Sequence, residues 1–209
     1  MIIDCSDSRV SEQAIFSATP GTMFTSGNIA NQFHEEDLTS NAVLSYAVET
    51  LGVKHVVIMG HYGCGGVAAS MVPEPVHTPA EPHPAHVAVQ RWIEPIREVY
   101  RKSSRPEIVA HREKSKRAPS EELPHLHDPA FRALVEENVK ANVQRVIESE
   151  VMKDHYASLT SPSGDLLQTE VYIHGWVYDV ETGEVLDLGV SVGPPGGSEK
   201  GKGSPFKKV

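Results

Sequence analysis

Near the start of the chain, Cys5-Ser6-Asp7-Ser8-Arg9-Val10 sets a thiol, a carboxylate and a guanidinium at alternate positions. A second segment, Gly60-His61-Tyr62-Gly63-Cys64-Gly65-Gly66, adds an imidazole and another thiol among glycines. Cys5, His61 and Cys64 together are the soft and borderline donors that zinc prefers. Three protein ligands leave a fourth tetrahedral position open, as in catalytic rather than structural zinc sites. Zinc in such a site brings the pKa of a bound water down towards about 7 and makes hydroxide available as a nucleophile. Two thiolates pass more electron density to the metal than imidazoles do, so activity is expected to favour alkaline pH. Asp7 and Arg9 fit one side of a tight turn, where the guanidinium keeps the carboxylate ionised and oriented. Asp7 can then accept a hydrogen bond from the metal's water, or swing onto the metal and close the site if Arg9 releases it. Gly63, Gly65 and Gly66 allow close backbone approach and can start a helix whose N–H groups face an anionic product.

Each feature alone has a plainer reading. A lone cysteine is as easily a buried core residue as a ligand, and an Asp-x-Arg pair is ordinarily a surface ion pair. His77, His83, His86, His125 and His127 sit in proline-rich stretches and read as solvated. The basic run from His111 to Arg117 reads as a solvated surface, and His174 as a packed or interface histidine. The combination of the two segments carries the metal reading. A redox pair formed by Cys5 and Cys64 is a further possibility.

Elements must bring the two segments together. Met1 to Cys5 reads as a short buried strand, residues 11–18 as a short helix, and Met23-Phe24-Thr25 as a second strand. Thr39 to Leu51 repeats apolar residues with a helical period, has Thr or Ser capping candidates and ends at Gly52. Val56-Val57-Ile58-Met59 is the apolar, β-branched run of a central strand covered on both faces. Strand, helix and strand imply a parallel sheet, and ligands of open α/β sheets bind beyond the strand C-termini, where both segments fall. Residues 72–86 form a Pro/His-rich loop, 87–101 a helix, and 102–130 a proline-broken, exposed region. Phe131 to Tyr156 is the longest amphipathic helix, and Glu170 to Tyr178 with Val185 to Leu188 make a hairpin. The expectation is an α/β fold with a central, mainly parallel β-sheet flanked by helices and a C-terminal antiparallel edge hairpin. It comprises one domain over 1–193 and a disordered tail over 194–209.

At 209 residues the chain can bury one substantial core. Its net charge of -9 argues against nucleic acid as a partner. Two cysteines make no disulfide framework, and no apolar stretch reaches the roughly 18 residues of a membrane span. No leader segment is recognisable in the first residues, so a cytoplasmic location is expected.

At these residues the sequence closely resembles the β-carbonic anhydrases, which share the Cys-x-Asp-x-Arg and His-x-x-Cys segments at this kind of separation. The likeness extends to Gly27-Asn28-Ile29-Ala30-Asn31, to the helix Asn41 to Leu51, to Cys64-Gly65-Gly66, and more loosely to Glu137-Asn138-Val139 and Tyr172-Ile173-His174-Gly175-Trp176. It implies one Zn2+ per subunit on Cys5, His61 and Cys64 and an Asp7–Arg9 dyad. It also implies a cleft near Gly27, Asn28, Gly65 and Gly66, and a homodimer whose partners jointly build each cleft. The implied reaction is reversible hydration of carbon dioxide to bicarbonate. The alternatives are hydrolysis of an isostere such as carbon disulfide, or a catalytically weak zinc protein acting in bicarbonate sensing or interaction. Family members usually carry Arg where Gly27 stands, and the change implies slower catalysis. Their N-terminal arm before the first ligand is nearly absent from this sequence, which bears on dimer stability. Ile2 replaces the Trp of members regulated by a second bicarbonate.

Overall fold

The computed structural model describes residues 1–74, 84–159 and 169–197. Strand β1 (Ile2–Cys5) leads through α1 (Glu12–Ile15) to β2 (Thr25–Asn28), a single 3-10 turn at Ile29–Asn31 and α2 (Leu38–Ser45). Then follow β3 (His55–His61), α3 (Gly65–Ser70), α4 (Pro84–Lys102), α5 (Pro106–Arg117), α6 (Pro129–Glu148), α7 (Glu150–Leu159), β4 (Tyr172–Tyr178) and β5 (Val185–Asp187). The strands form one sheet in the order β2-β1-β3-β4-β5. The first four run parallel, and β4 with β5 is antiparallel. The expected α/β architecture and its C-terminal edge hairpin are therefore present.

The apolar run of β3 follows from burial on both faces. Val56 and Ile58 join the main core, where Val135, Val139 and Val143 of α6 also pack. Val57 and Met59 join Ile2 and Trp176 in a smaller cluster on the other side, covered by Val10, Ile15 and Phe16. β4 has the same character. Tyr172 to Val177 are all buried, because the hairpin partner β5 protects its outer edge and packing covers both faces. Gly175 lets α6 come close: a Cβ there would lie 3.1 Å from side chains of both Val139 and Val143.

Several boundaries differ from the sequence expectation. β2 starts at Thr25 rather than Met23. α2 is capped by Asp37, whose carboxylate accepts from the Ser40 amide at 2.8 Å, and not by a Thr or Ser. After Ser45 the helix widens to a π-helical turn over Tyr46–Thr50 and stops at Gly52, with φ of 59°. The region 102–130 holds a 12-residue helix, because Pro106 occupies the first turn, where a missing N–H costs nothing. The long helix breaks at Ser149, whose ψ of 150° separates α6 from α7. Residues 84–86, placed in the Pro/His-rich loop from sequence, already belong to α4. The rest of that loop from Pro75 to His83, with His77, lies outside the described residues. Val192 pairs with Ile173, and Pro194 is buried; residues 198–209 of the expected tail lie outside the described part. Among the described residues no helix is long and apolar enough to cross a membrane.

Candidate metal centre

β1 and β3 are adjacent and parallel, with Asp4 opposite Met59. Their C-terminal ends deliver Cys5 and His61 to the same side of the sheet, and the turn after β3 brings in Cys64. The two sulfurs stand 3.9 Å apart, and the ligand atoms of Cys5, His61 and Cys64 all lie within 4.8 Å of one another. All three residues are buried.

The donor set can be tested against a metal from the imidazole. His61 Nδ1 lies 3.0 Å from the Tyr62 carbonyl oxygen. A carbonyl only accepts, so Nδ1 carries the proton and Nε2 presents a lone pair. That Nε2 is buried and has no hydrogen-bond partner, an arrangement that costs free energy unless another group uses the lone pair. A cation between Nε2 and the two sulfurs would satisfy all three atoms, so the residues present fit zinc.

The two thiols are pushed in opposite directions. Cys64, through its hydrogen bond to Cys5, together with His61 pulls the Cys5 thiol down, against the opposing effect of burial. Cys64 goes up because it faces Cys5 and is buried, although the amides of Gly66 and Val67 favour its thiolate. One proton shared by two neighbouring sulfurs accounts for the opposite directions. The helix start at Cys64-Gly65-Gly66 was expected to face an anionic product. The Gly66 and Val67 amides of this helix start also favour the Cys64 sulfur as thiolate.

A family model described as carbonic anhydrase matches residues 1–185 of the chain. The chain belongs to the β-carbonic anhydrase family. It is 33% identical to the carbonic anhydrase of Emericella nidulans over 192 residues, covering 91% of this chain and 69% of that protein. It is 30% identical to the Saccharomyces cerevisiae carbonic anhydrase, covering 88% of this chain and 70% of the relative. It spans only 53% of the length of the Candida albicans carbonic anhydrase. Among solved structures, the Coccomyxa β-carbonic anhydrase bound to acetazolamide superposes with a TM-score of 0.67 at 29% identity, over 91% of this chain and 72% of that one. A tetrameric β-carbonic anhydrase of Sordaria macrospora gives 0.67 at 25% identity, over 91% and 80%. The family is one of lyases.

Asp7 stands beside the three candidate ligands. Its Oδ2 lies 3.8 Å from His61 Nε2. Arg9 grips it in a fork, Nε to Oδ1 at 2.8 Å and Nη2 to Oδ2 at 2.7 Å, and the Arg9 amide adds a bond at 3.0 Å. Those bonds hold the Asp7 carboxyl well below the usual carboxylate range. Arg9 also donates to the Gly63 carbonyl at 3.2 Å, which ties the dyad to the turn carrying Cys64. Gly63 has φ of +78°, and a Cβ there would lie 2.7 Å from Leu126.

The remaining residues picked out by sequence sit around the centre. Gly27 faces Asp4 across β2 and β1. The Asn28 amide brackets the 3-10 turn, donating to the Gln32 carbonyl at 2.8 Å and accepting from the Gln32 amide at 2.7 Å. Gly66 lets this turn approach α3, since a Cβ would come 2.9 Å from Ile29 and 3.1 Å from Ala30; at Gly65 the space is open. His174 is not near the metal ligands. It is buried between His55 (2.9 Å) and Ser191 (2.8 Å).

Two supports of the centre escaped the sequence reading. The Tyr62 hydroxyl donates to Glu136 at 2.8 Å, and the Arg132 guanidinium lies 3.5 Å over the Tyr62 ring. A buried amide network, Gln32 to Asn138 at 2.8 Å and Asn142 to Asn138 at 3.1 Å, fastens the turn after β2 to α6. Helical spacing of Asn138 and Asn142 within an otherwise apolar face was the one signal available. Asp4, also unremarked, is a buried carboxyl pushed up to about 8, first by burial and then by Glu12 and Cys5.

Proposed function

We propose that this chain catalyses the reversible hydration of carbon dioxide to bicarbonate and a proton, with one zinc ion held by Cys5, His61 and Cys64. The observation that carries this reading is the unpartnered, buried Nε2 of His61 converging with two thiols beside a carboxylate that is fixed as an anion. Zinc, when bound, supplies the Lewis acid that makes a hydroxide nucleophile from water near neutral pH.

The chain's own residues do the rest. Tyr62 fixes the His61 tautomer through its carbonyl, as a metal-ligating histidine requires. Asp7 stays ionised because Arg9 satisfies both of its oxygens, and it can accept a hydrogen bond from an attacking water and so aim the oxygen lone pair at carbon. Arg9 holds Asp7 and the Gly63 carbonyl together, so the orienting carboxylate and the turn bearing Cys64 keep a fixed relation. Gly27 leaves the cleft without the guanidinium that family members usually place there, and turnover slower than theirs follows from the missing positive charge near an anionic product.

A homodimer is part of the proposal. Among the described residues β2 pairs only with β1, so its outer edge is open. Exposed Ile29, Leu38, Tyr46 and Leu51 lie in the segments just after it. Metal-binding thiols must stay reduced, which suits the cytoplasm. The test is a stopped-flow indicator assay of carbon dioxide hydration with zinc-loaded and chelator-treated protein. A zinc-dependent rate supports the proposal; background rates in both samples contradict it.

A further inference from the structure

We propose that the cavity between the C-terminal end of α3, α4 and α5 binds a small organic phosphate, a dianionic head group carried on an apolar body. The cavity measures about 400 Å³ and is lined, among the described residues, by four cationic side chains, Arg97, Arg101, Arg112 and Lys116, and by no carboxylate. It is separate from the metal centre, whose ligands are not among its walls.

Two of the cations are built in rather than solvated. Arg97 is only 6% exposed. Its fork donates to the Ser70 carbonyl at 3.3 Å and the Val72 carbonyl at 2.7 Å, and also to the Gln90 side-chain oxygen. Arg112 donates to the carbonyls of Tyr100, Arg101 and Ser103 at 2.6, 2.9 and 2.8 Å. Neutral acceptors hold both groups in place. The Nε of Arg97 is buried and has no hydrogen-bond partner; the Glu74 and Glu94 carboxylates, 4.0 Å away, balance part of its charge from the exposed side. Arg101 and Lys116, at the rim, pair with Glu94 and Glu113. Those pairs are more than 40% exposed on every member, so solvent screens them and an incoming dianion can compete.

Size and lining set the ligand class. A volume of this order holds about a dozen waters at about 30 Å³ each, far more than bicarbonate would displace, and falls within the range of small-molecule pockets. Met71, Val72 and Pro119 give it apolar walls, and Tyr100 an aromatic one. Four positive charges converging on one cavity suit a dianionic phosphate better than a monoanionic carboxylate.

Isothermal titration of the zinc-loaded protein with phenyl phosphate, inorganic phosphate and benzyl alcohol tests this. The expected result is saturable, one-to-one binding of phenyl phosphate, weaker binding of inorganic phosphate and none of benzyl alcohol. The rim variant R101Q/K116Q, altered only at exposed positions, should bind phenyl phosphate about ten-fold more weakly and keep its zinc content. Absence of saturable phenyl phosphate binding overturns the proposal. So does equal affinity in the rim variant, which would place the anion at the metal centre, or equal binding of benzyl alcohol, which would remove the role of charge.

Discussion

Gly60 precedes the candidate ligand His61 in β3, and its missing side chain makes room for α6. A Cβ at this position would lie 2.6 Å from Val139 Cγ2, 3.4 Å from Asn31 Oδ1 and 3.5 Å from Val135 Cγ1. Carbon atoms in contact keep about 3.5–4.0 Å, so Gly60→Ala forces an overlap of roughly 1 Å into a close-packed core. Overpacking of that kind costs about 1–3 kcal/mol. Val139→Ala removes two methyl groups from a fully buried side chain, at about 0.8 kcal/mol each plus a cavity term, or about 2–3 kcal/mol in all. In the double variant the new methyl enters the space that Val139 vacates. The two losses should therefore sum to more than the double variant shows, by about 1–2 kcal/mol. Urea unfolding of the four proteins at one fixed zinc concentration measures this, and zinc content reports whether His61 has been displaced. Additivity within about 0.5 kcal/mol would refute the contact as the cause.

Replacing Asp7 by Asn keeps its size but removes the charge gripped by Arg9; kcat/KM should fall about 100-fold with zinc content unchanged, and an undiminished rate would dismiss Asp7 as the positioning carboxylate. Gly27→Arg should raise kcat/KM, since the nearest atoms to a Cβ there are the side-chain oxygens of Ser6 at 3.3 Å and Asp4 at 3.5 Å; no rise would count against the proposed deficit. Burial, followed by the neighbouring His55, lowers the His174 pKa from 6.5 to about 4. In that window the unfolded chain binds the extra proton, so stability is fully present above pH 6.5 and is lost as pH falls towards about 4, by about 3 kcal/mol in total. Urea midpoints at neutral and acidic pH measure this, and a His174→Gln variant with the same acid sensitivity would contradict it.

The legible parts of this molecule were those whose cause is local. β3 announced itself because burial on both faces leaves four consecutive apolar residues, and the ligand segments because thiols and imidazole lie among glycines directly after strands. α5 was hidden because Pro106 marks a helix start as readily as a break, and only the packing of Ile108 into the core decides between them. The break at Ser149 was invisible for a related reason: the apolar period continues across it while the backbone turns away. The amide network of Gln32, Asn138 and Asn142 joins residues more than 100 positions apart, as the Gln32 to Asn138 bond shows. No periodicity records such a pairing. The helix start at Cys64-Gly65-Gly66 was assigned to an anion because a helix start attracts one, but it also sets the Gly66 and Val67 amides beside the Cys64 sulfur, a local arrangement that spacing alone does not record.

The most direct measurement on the metal centre is X-ray absorption at the zinc edge of the loaded protein. Two sulfurs at about 2.3 Å and nitrogen or oxygen neighbours at about 2.0–2.1 Å are expected, and one sulfur should disappear in Cys64→Ser. A shell without sulfur, or one unchanged by that substitution, would contradict ligation by Cys5, His61 and Cys64.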